Sequence, residues 1–244
     1  GSVGYYDRGD QFYGSKIEGQ KYTFDKEDTA QSFTFGGPII KDKAFFYVTY
    51  EDTTVTNPVL YGPAGSGAAN EQAITLEQVD SLRQLTISKY GWDPLGVAST
   101  TESKQENTSL RIDYILNENH RLTYNYKNTE GDRLRASGSN SSFYFESASY
   151  FKGEKTDTSS ILLVSDWSDN LISEIYYSNK STDTSQNSPA GQDVPNFYID
   201  DAYGMRVYLG ADIYRSANKL ATETDFLKAK LTYYTGNHKI TAGY

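Results

Sequence analysis

The sequence predicts an all-β protein: one arc of a transmembrane antiparallel β-barrel, about nine strands of a wall of roughly 22, with long loops on one side, one of them carrying a short helix. Three observations predict it. Segments of about 9–11 residues alternate polar with apolar or aromatic residues, the length and period of a tilted strand wetted on one face only. Tight turns and long connections alternate along the chain. A mean hydropathy of −0.65 coexists with 22 Tyr and 11 Phe in 244 residues; this suits a barrel, whose lipid-facing and lumen-facing residues cancel in the average. No run approaches the ~18 apolar residues of a membrane helix.

Residues 2–8 read as a first short strand and residues 10–29 as a polar, glycine-containing loop. Residues 31–52, QSFTFGGPIIKDKAFFYVTYED, then form a hairpin. Residues 32–35 alternate polar with aromatic. Pro38 has no N–H for a ladder, so it is assigned to the turn with Gly36, Gly37, Lys41, Asp42 and Lys43. Residues 44–50 are the third strand, with Phe45, Phe46 and Tyr47 in succession; consecutive aromatics outside a core suit a strand with lipid on one side.

Residues 53–106 are a long connection holding a helix over residues 75–89. Thr75 is the N-cap with Gln78 at N3, Ile74 staples to Val79, and Gly91 ends it. Leu76, Val79, Leu82 and Leu85 make one apolar stripe.

From Asn107 the alternation is clean. Leu110, Ile112, Tyr114 and Leu116 oppose Ser109, Arg111 and Asp113; after the turn at Asn117, Glu118 and Asn119, Leu122, Tyr124 and Tyr126 oppose Arg121, Thr123 and Asn125. Residues 158–167 pair with 171–180 across Ser168, Asp169 and Asn170, and residues 224–234 pair with 239–244 across Gly236 and Asn237. Residues 130–156 and 181–222 are further long excursions. Leu110, Ile112, Tyr114, Leu122, Tyr124, Leu163, Ile175, Leu231 and Tyr233 are expected to face lipid. Arg111, Asp113, Arg121, Asn125, Glu174, Lys228 and Lys230 are expected to face the lumen. Trp167, near a tight turn, is either a girdle residue or an ordinary packing residue.

Strand direction reverses at every connection. Long loops after the first, third, fifth and seventh strands therefore emerge on one side, and tight turns after the second, fourth, sixth and eighth on the other. Outer-membrane barrels have this asymmetry, with long loops outside the cell and short turns in the periplasm. Nine strands ending in mid-strand cannot close a barrel and remove its unpaired edges. Residues 1–244 are thus expected to be a partial barrel domain of a longer chain.

Several function classes are excluded or weakened by composition. A net charge of −9 argues against nucleic acid, which requires a basic face. There is no Cys, no HExxH and no GxSxG, and His120 and His238 both fall in tight turns, so no catalytic residue, cofactor or metal is assigned. Asp200 and Asp201, with Asp193 and Asp212, are either oxygen ligands for Ca²⁺ or solvated loop residues, and the absence of EF-hand spacing favours the second. Phe143, Tyr144 and Phe145, and Phe197, Tyr198, Tyr203, Tyr208 and Tyr214, lie in loops expected to be extracellular. They either hold a ligand at the barrel mouth or pack the loops on one another. Their acidic neighbours favour a neutral or cationic solute.

The stretch FGGPIIKDKAFFYVTYE resembles the early barrel hairpin of Oar-like TonB-dependent outer-membrane receptors, in which GGP-(I/L)-x-K-D-K-x-F-F joins two strands. The segments TLEQVDSLRQL, RIDYILNENHRLTYNY and TGNHKITAGY agree with that family in kind. The resemblance implies energy-coupled import of a scarce solute (peptide, oligosaccharide or metal chelate) across the outer membrane of a Gram-negative bacterium. It implies contact with outer-membrane lipid and lipopolysaccharide, and with the TonB complex through a plug outside these residues. The plug, TonB box and regulatory domain of the family are not found here. Two other readings stand beside it: a passive porin-like or adhesive barrel, and a secreted carbohydrate-binding β-domain.

Overall fold

The computed structural model describes residues 1–14, 16–17, 20–21, 26–216 and 218–244. Nine strands form one antiparallel sheet whose spatial order is their chain order: β1 (Ser2–Arg8), β2 (Glu27–Ile40), β3 (Ala44–Pro58), β4 (Thr100–Asn117), β5 (His120–Arg135), β6 (Tyr150–Ser168), β7 (Leu171–Asn187), β8 (Asn218–Thr235) and β9 (His238–Gly243). The expected alternation of loop length holds: residues 41–43, 118–119, 169–170 and 236–237 close the tight turns. Local chemistry shapes these turns. The Asn119 N–H donates to Asn117 Oδ1 at 2.9 Å, the Asn170 N–H to Ser168 Oγ at 3.3 Å, and the Lys43 N–H to the Ile40 carbonyl at 3.1 Å. Side-chain mimicry of a turn is what short polar residues offer at such positions.

The hairpin of β2 and β3 departs from expectation. Gly36, Gly37 and Pro38 belong to β2, opposite Tyr47, Phe46 and Phe45, and the register shifts between Pro38 and Ile40. Proline is tolerated there because the adjacent bulge already interrupts the ladder. Glycine is needed at 36 for space: a Cβ would sit 2.7 Å from the Tyr47 ring and 2.8 Å from the Phe46 carbonyl oxygen. The interval assigned to the first loop also holds a 3₁₀ turn (Asp10–Phe12) and two short paired strands, Lys16–Ile17 and Gln20–Lys21.

Directly opposed residues of an antiparallel pair share a face, so the register carries face identity across the sheet. Rows such as Phe46, Ile112, Tyr124 and Ile161, or Tyr114, Leu122, Leu163 and Ile175, build one apolar face. Leu231 and Tyr233 continue it through Ser173 and Leu171. All nine residues expected on the lipid side lie on this face. The opposite face carries Arg111 beside Asn125, Asp113 beside Thr123, Arg121 beside Val164, Glu174 beside Lys230, and Lys228 beside Tyr176. Of the three consecutive aromatics only Phe46 is on the apolar face; Phe45 and Tyr47 oppose Asp113 and Arg111. Hydroxyls tie the polar face together, as in Thr49 with Ser109, Thr123 with Asp113, and Thr156 with Thr182.

Strands β2 to β8 are longer than the sequence suggests, from 14 residues in β2 to 19 in β6. At about 3.3 Å per residue the longest spans roughly 60 Å, about twice a hydrocarbon core. The extra length lies toward the long loops and begins at a defined row. Tyr50, Tyr126 and Tyr177, the last aromatics of β3, β5 and β7, donate to Glu106, Asp157 and Asp225 on the next strand at 2.7, 2.6 and 2.6 Å. Beyond them the same face carries Asp52, Glu106, Glu130, Lys155 and Asp183 in one row. Apolar residues are sparse there (Val55, Leu134, Phe151 and Leu220) and do not alternate, so these upper halves read as polar excursions in the sequence.

Candidate functional site

Three of the four long connections on the side away from the tight turns, residues 59–99, 136–149 and 188–216, come together. Together they bury Ile74, Val79, Phe143, Phe145, Met205, Val207 and Leu209 in one cluster, with Leu82, Trp92, Val97, Phe197 and Ile199 packed against it. Helix α1 (Leu76–Tyr90) forms one wall and starts as expected: Thr75 and Gln78 make a reciprocal capping box, and Gly91 ends it in the left-handed region. Its buried residues are Val79 and Thr86, whereas Leu76 and Leu85 are exposed, so the packed stripe is narrower than the sequence implies. Arg83 and Asp93 form a bidentate pair at 2.8 and 2.6 Å across the end of the helix. The Arg83 guanidinium holds the Asp93 carboxyl below its usual range, helped by the Leu95 N–H.

A small three-stranded sheet forms the other wall: Ser142–Tyr144 lies parallel to Met205–Leu209, which pairs antiparallel with Phe197–Ala202. Its alternation sorts the predicted ligand residues. Phe143 opposes Val207, and Phe197 opposes Leu209, on the core face; Phe145 is fully buried beside them. Phe143, Phe145 and Phe197 thus pack the loops together.

Tyr144, Tyr208 and Tyr198 stand side by side on the opposite face. The Tyr144 and Tyr208 rings stack at 4.3 Å and 7°, and Tyr198 meets Tyr208 at 5.8 Å. Arg206 lies on the same face, its Cζ 4.7 Å from the Tyr198 ring centroid and its Nε 2.5 Å from Asp200 Oδ1. Contacts with the Tyr208 phenol and the Asp200 carboxylate raise the Arg206 pKa and keep its charge fixed. Burial, followed by the neighbouring Tyr208, raises the Tyr144 phenol, which stays protonated at neutral pH. Tyr144 and Tyr208 thus stack on each other and Tyr198 lies beneath the guanidinium, flanked by a neutralised ion pair.

Tyr203 and Tyr214 are separate from this ladder's rows. Tyr203 (φ 56°) and Gly204 (φ 74°) form the tip of the hairpin, the positive-φ pair of a tight two-residue connection. Tyr214 is 79% exposed, and its N–H donates to Asp212 Oδ1 at 2.8 Å. Among the described residues no three His, Cys, Asp or Glu side chains converge; of the four loop aspartates, Asp200 is engaged by Arg206. Arg206 was not singled out in the sequence. The signal was present: Phe197, Ile199, Val207 and Leu209 alternate with Tyr198, Asp200, Arg206 and Tyr208, a period of two on either side of Tyr203 and Gly204.

At the tight-turn end, His120 packs its ring edge-on against Trp167 at 5.1 Å, and Trp167 Nε1 donates to Ser173 Oγ at 2.9 Å while remaining 61% exposed. His238 is exposed at the start of β9.

No protein-family model matches the sequence, and no curated protein matches it significantly. Two solved structures are similar. One is the outer membrane transporter YddB from Escherichia coli: 9% identity, TM-score 0.57, over 99% of this chain and 29% of that one. The other is the Pseudomonas putida toluene transporter TodX, at 12% identity and TM-score 0.33, over 99% of this chain and 63% of that one. The chain therefore spans under a third of the length of YddB and 63% of that of TodX. The likeness to YddB shows the fold: the nine-stranded sheet is an arc of an outer-membrane type of β-barrel, crowned on one side by a cap built from its long loops.

Proposed function

We propose that this arc is part of the wall of a TonB-dependent, Oar-like receptor in the outer membrane of a Gram-negative bacterium. It imports a scarce solute (a peptide, an oligosaccharide or a metal chelate) with energy transmitted through a plug, and it has no catalytic role. The GGPIIKDKAFF stretch supports the family, and the fold supports the membrane setting. The observation that carries the reading is the cap: loops of a passive pore gain nothing from folding into a unit that displays a ladder of Tyr144, Tyr208 and Tyr198. In this reading the apolar face meets membrane lipid, and the rows above Tyr50, Tyr126 and Tyr177 stand at the level of lipopolysaccharide. Asp193, Asp201 and Asp212, with Asp200 already paired to Arg206, favour a neutral or cationic solute.

The test is uptake by cells carrying the full-length receptor, offered labelled peptides, oligosaccharides and ferric chelates with and without a protonophore. Import of one class should stop when the proton gradient collapses, and should fall at least tenfold at limiting solute in the Tyr144→Ala/Tyr208→Ala variant. Uptake that ignores the protonophore would instead identify a passive pore.

A further inference from the structure

We infer that these three long loops form one cooperative unit whose hub is the turn at residues 145–149. The turn touches both other loops through its backbone as well as its side chains. Toward the helical loop, the Glu146 N–H donates to the Gly96 carbonyl at 3.0 Å and the Ser147 N–H to the Pro94 carbonyl at 3.2 Å. Toward the hairpin loop, the Phe145 N–H donates to the Tyr208 carbonyl at 3.0 Å and the Gly210 N–H to Ser147 Oγ at 3.0 Å. Ser188 Oγ donates to the Ser147 carbonyl at 2.8 Å in a buried setting.

Ser147 is fully buried, so its hydroxyl and carbonyl have no water to fall back on. Phe145 is also fully buried, in a cluster to which all three loops contribute: Ile74 and Val79 from the first, Phe143 from the second, Met205, Val207 and Leu209 from the third. Gln72 adds a further tie, donating through Nε2 to the carbonyls of Ser139 and Ser142 at 2.6 and 2.8 Å. No loop keeps a core if another leaves. A segment held in this way opens with its partners rather than alone.

Two consequences follow for the site. Tyr208 is held by its own carbonyl to the hub, so the ladder belongs to the same unit. A solute held on the ladder also stabilises helix α1 on the far side of the core. The inference builds on the capture reading but needs no ligand, so each can fail without the other.

The experiment is amide hydrogen exchange on the full-length receptor in lipid nanodiscs. Amides in residues 76–90, 142–149 and 197–210 should exchange through a common opening. Phe145→Ala should accelerate all three segments at least tenfold, by similar factors, and leave residues 110–114 and 122–126 of the wall unchanged. Ser147→Ala, a milder change for the case in which Phe145→Ala is not assembled, should show the same pattern at smaller amplitude. Tyr198→Ala, on the open face, should accelerate none. Acceleration confined to residues 142–149 in either hub variant, or spreading into the wall strands, would overturn the inference.

Discussion

Ile112 and Phe145 are both large apolar side chains, yet the wall and the cap use them in opposite ways. Ile112 stands half-exposed on a face shared with Phe46 and Tyr124 across its neighbouring strands. Its neighbours are set by register, and its outer side stays open. Phe145 has no exposed surface and sits in a cluster reaching from 71 positions before it (Ile74) to 64 after it (Leu209) in the sequence. The wall is stabilised by backbone ladders with a face code repeated every second residue. The cap is organised differently, with a capped helix, a short sheet and a closed core. The same chain thus turns apolar side chains outward on the wall and inward in the cap.

The largest test of that contrast is a charge on each face of the wall. Ile112→Arg should cost about 2–4 kcal/mol in refolding into lipid bilayers, whereas Asn125→Arg, on the opposite face, should cost well under that. Equal costs would dissolve the two-face assignment.

An intermediate effect belongs to the cap. Gly210 has φ 79°, and a Cβ there would lie 1.6 Å from the Pro195 carbonyl oxygen. Gly210→Ala should destabilise the cap by roughly 1–3 kcal/mol, because the strain adds to displacement of a backbone that holds the bond to Ser147. Gly65→Ala, at φ 83° but with open space around it, should cost about 1 kcal/mol. Limited proteolysis of the two variants in nanodiscs measures the difference, and similar cleavage rates would mean that close packing at Gly210 is unimportant.

The smallest effect is electrostatic. Asp93 has a depressed pKa because Arg83 donates to it. A depressed carboxyl contributes stability above its unfolded pKa, near 3.9, and that contribution is lost as pH falls through the folded value. Both side chains are more than a third exposed, so solvent screening limits the pair to well under about 1 kcal/mol. The protection of amides around residues 83–95, corrected for the intrinsic pH dependence of exchange, should therefore fall slightly as pH drops from about 5 to about 3, and Asp93→Asn should remove most of that dependence while leaving the wall unaffected. An unchanged pH response in Asp93→Asn would assign it to another group.

Sequence alone determined the wall. Leu110, Ile112 and Tyr114 against Arg111 and Asp113 leave one workable register, because a slip by one residue would exchange every side chain between faces. The turns were legible for the same local reason, as was the start of the helix, where Thr75 and Gln78 satisfy each other within four residues. What tertiary structure decided is where locality ends. Gly36, Gly37 and Pro38 look like turn residues by type, but their role depends on the Tyr47 ring across the hairpin. The upper halves of β4 to β8 have ladders without apolar alternation, so only pairing with neighbours reveals them as strands. The fates of Phe143, Phe145 and Tyr144 were open because their surroundings come from chain more than 60 residues away (Gly210 on Ser147, Ser139 and Ser142 on Gln72). A face code needs only the next residue, whereas a core needs the whole fold.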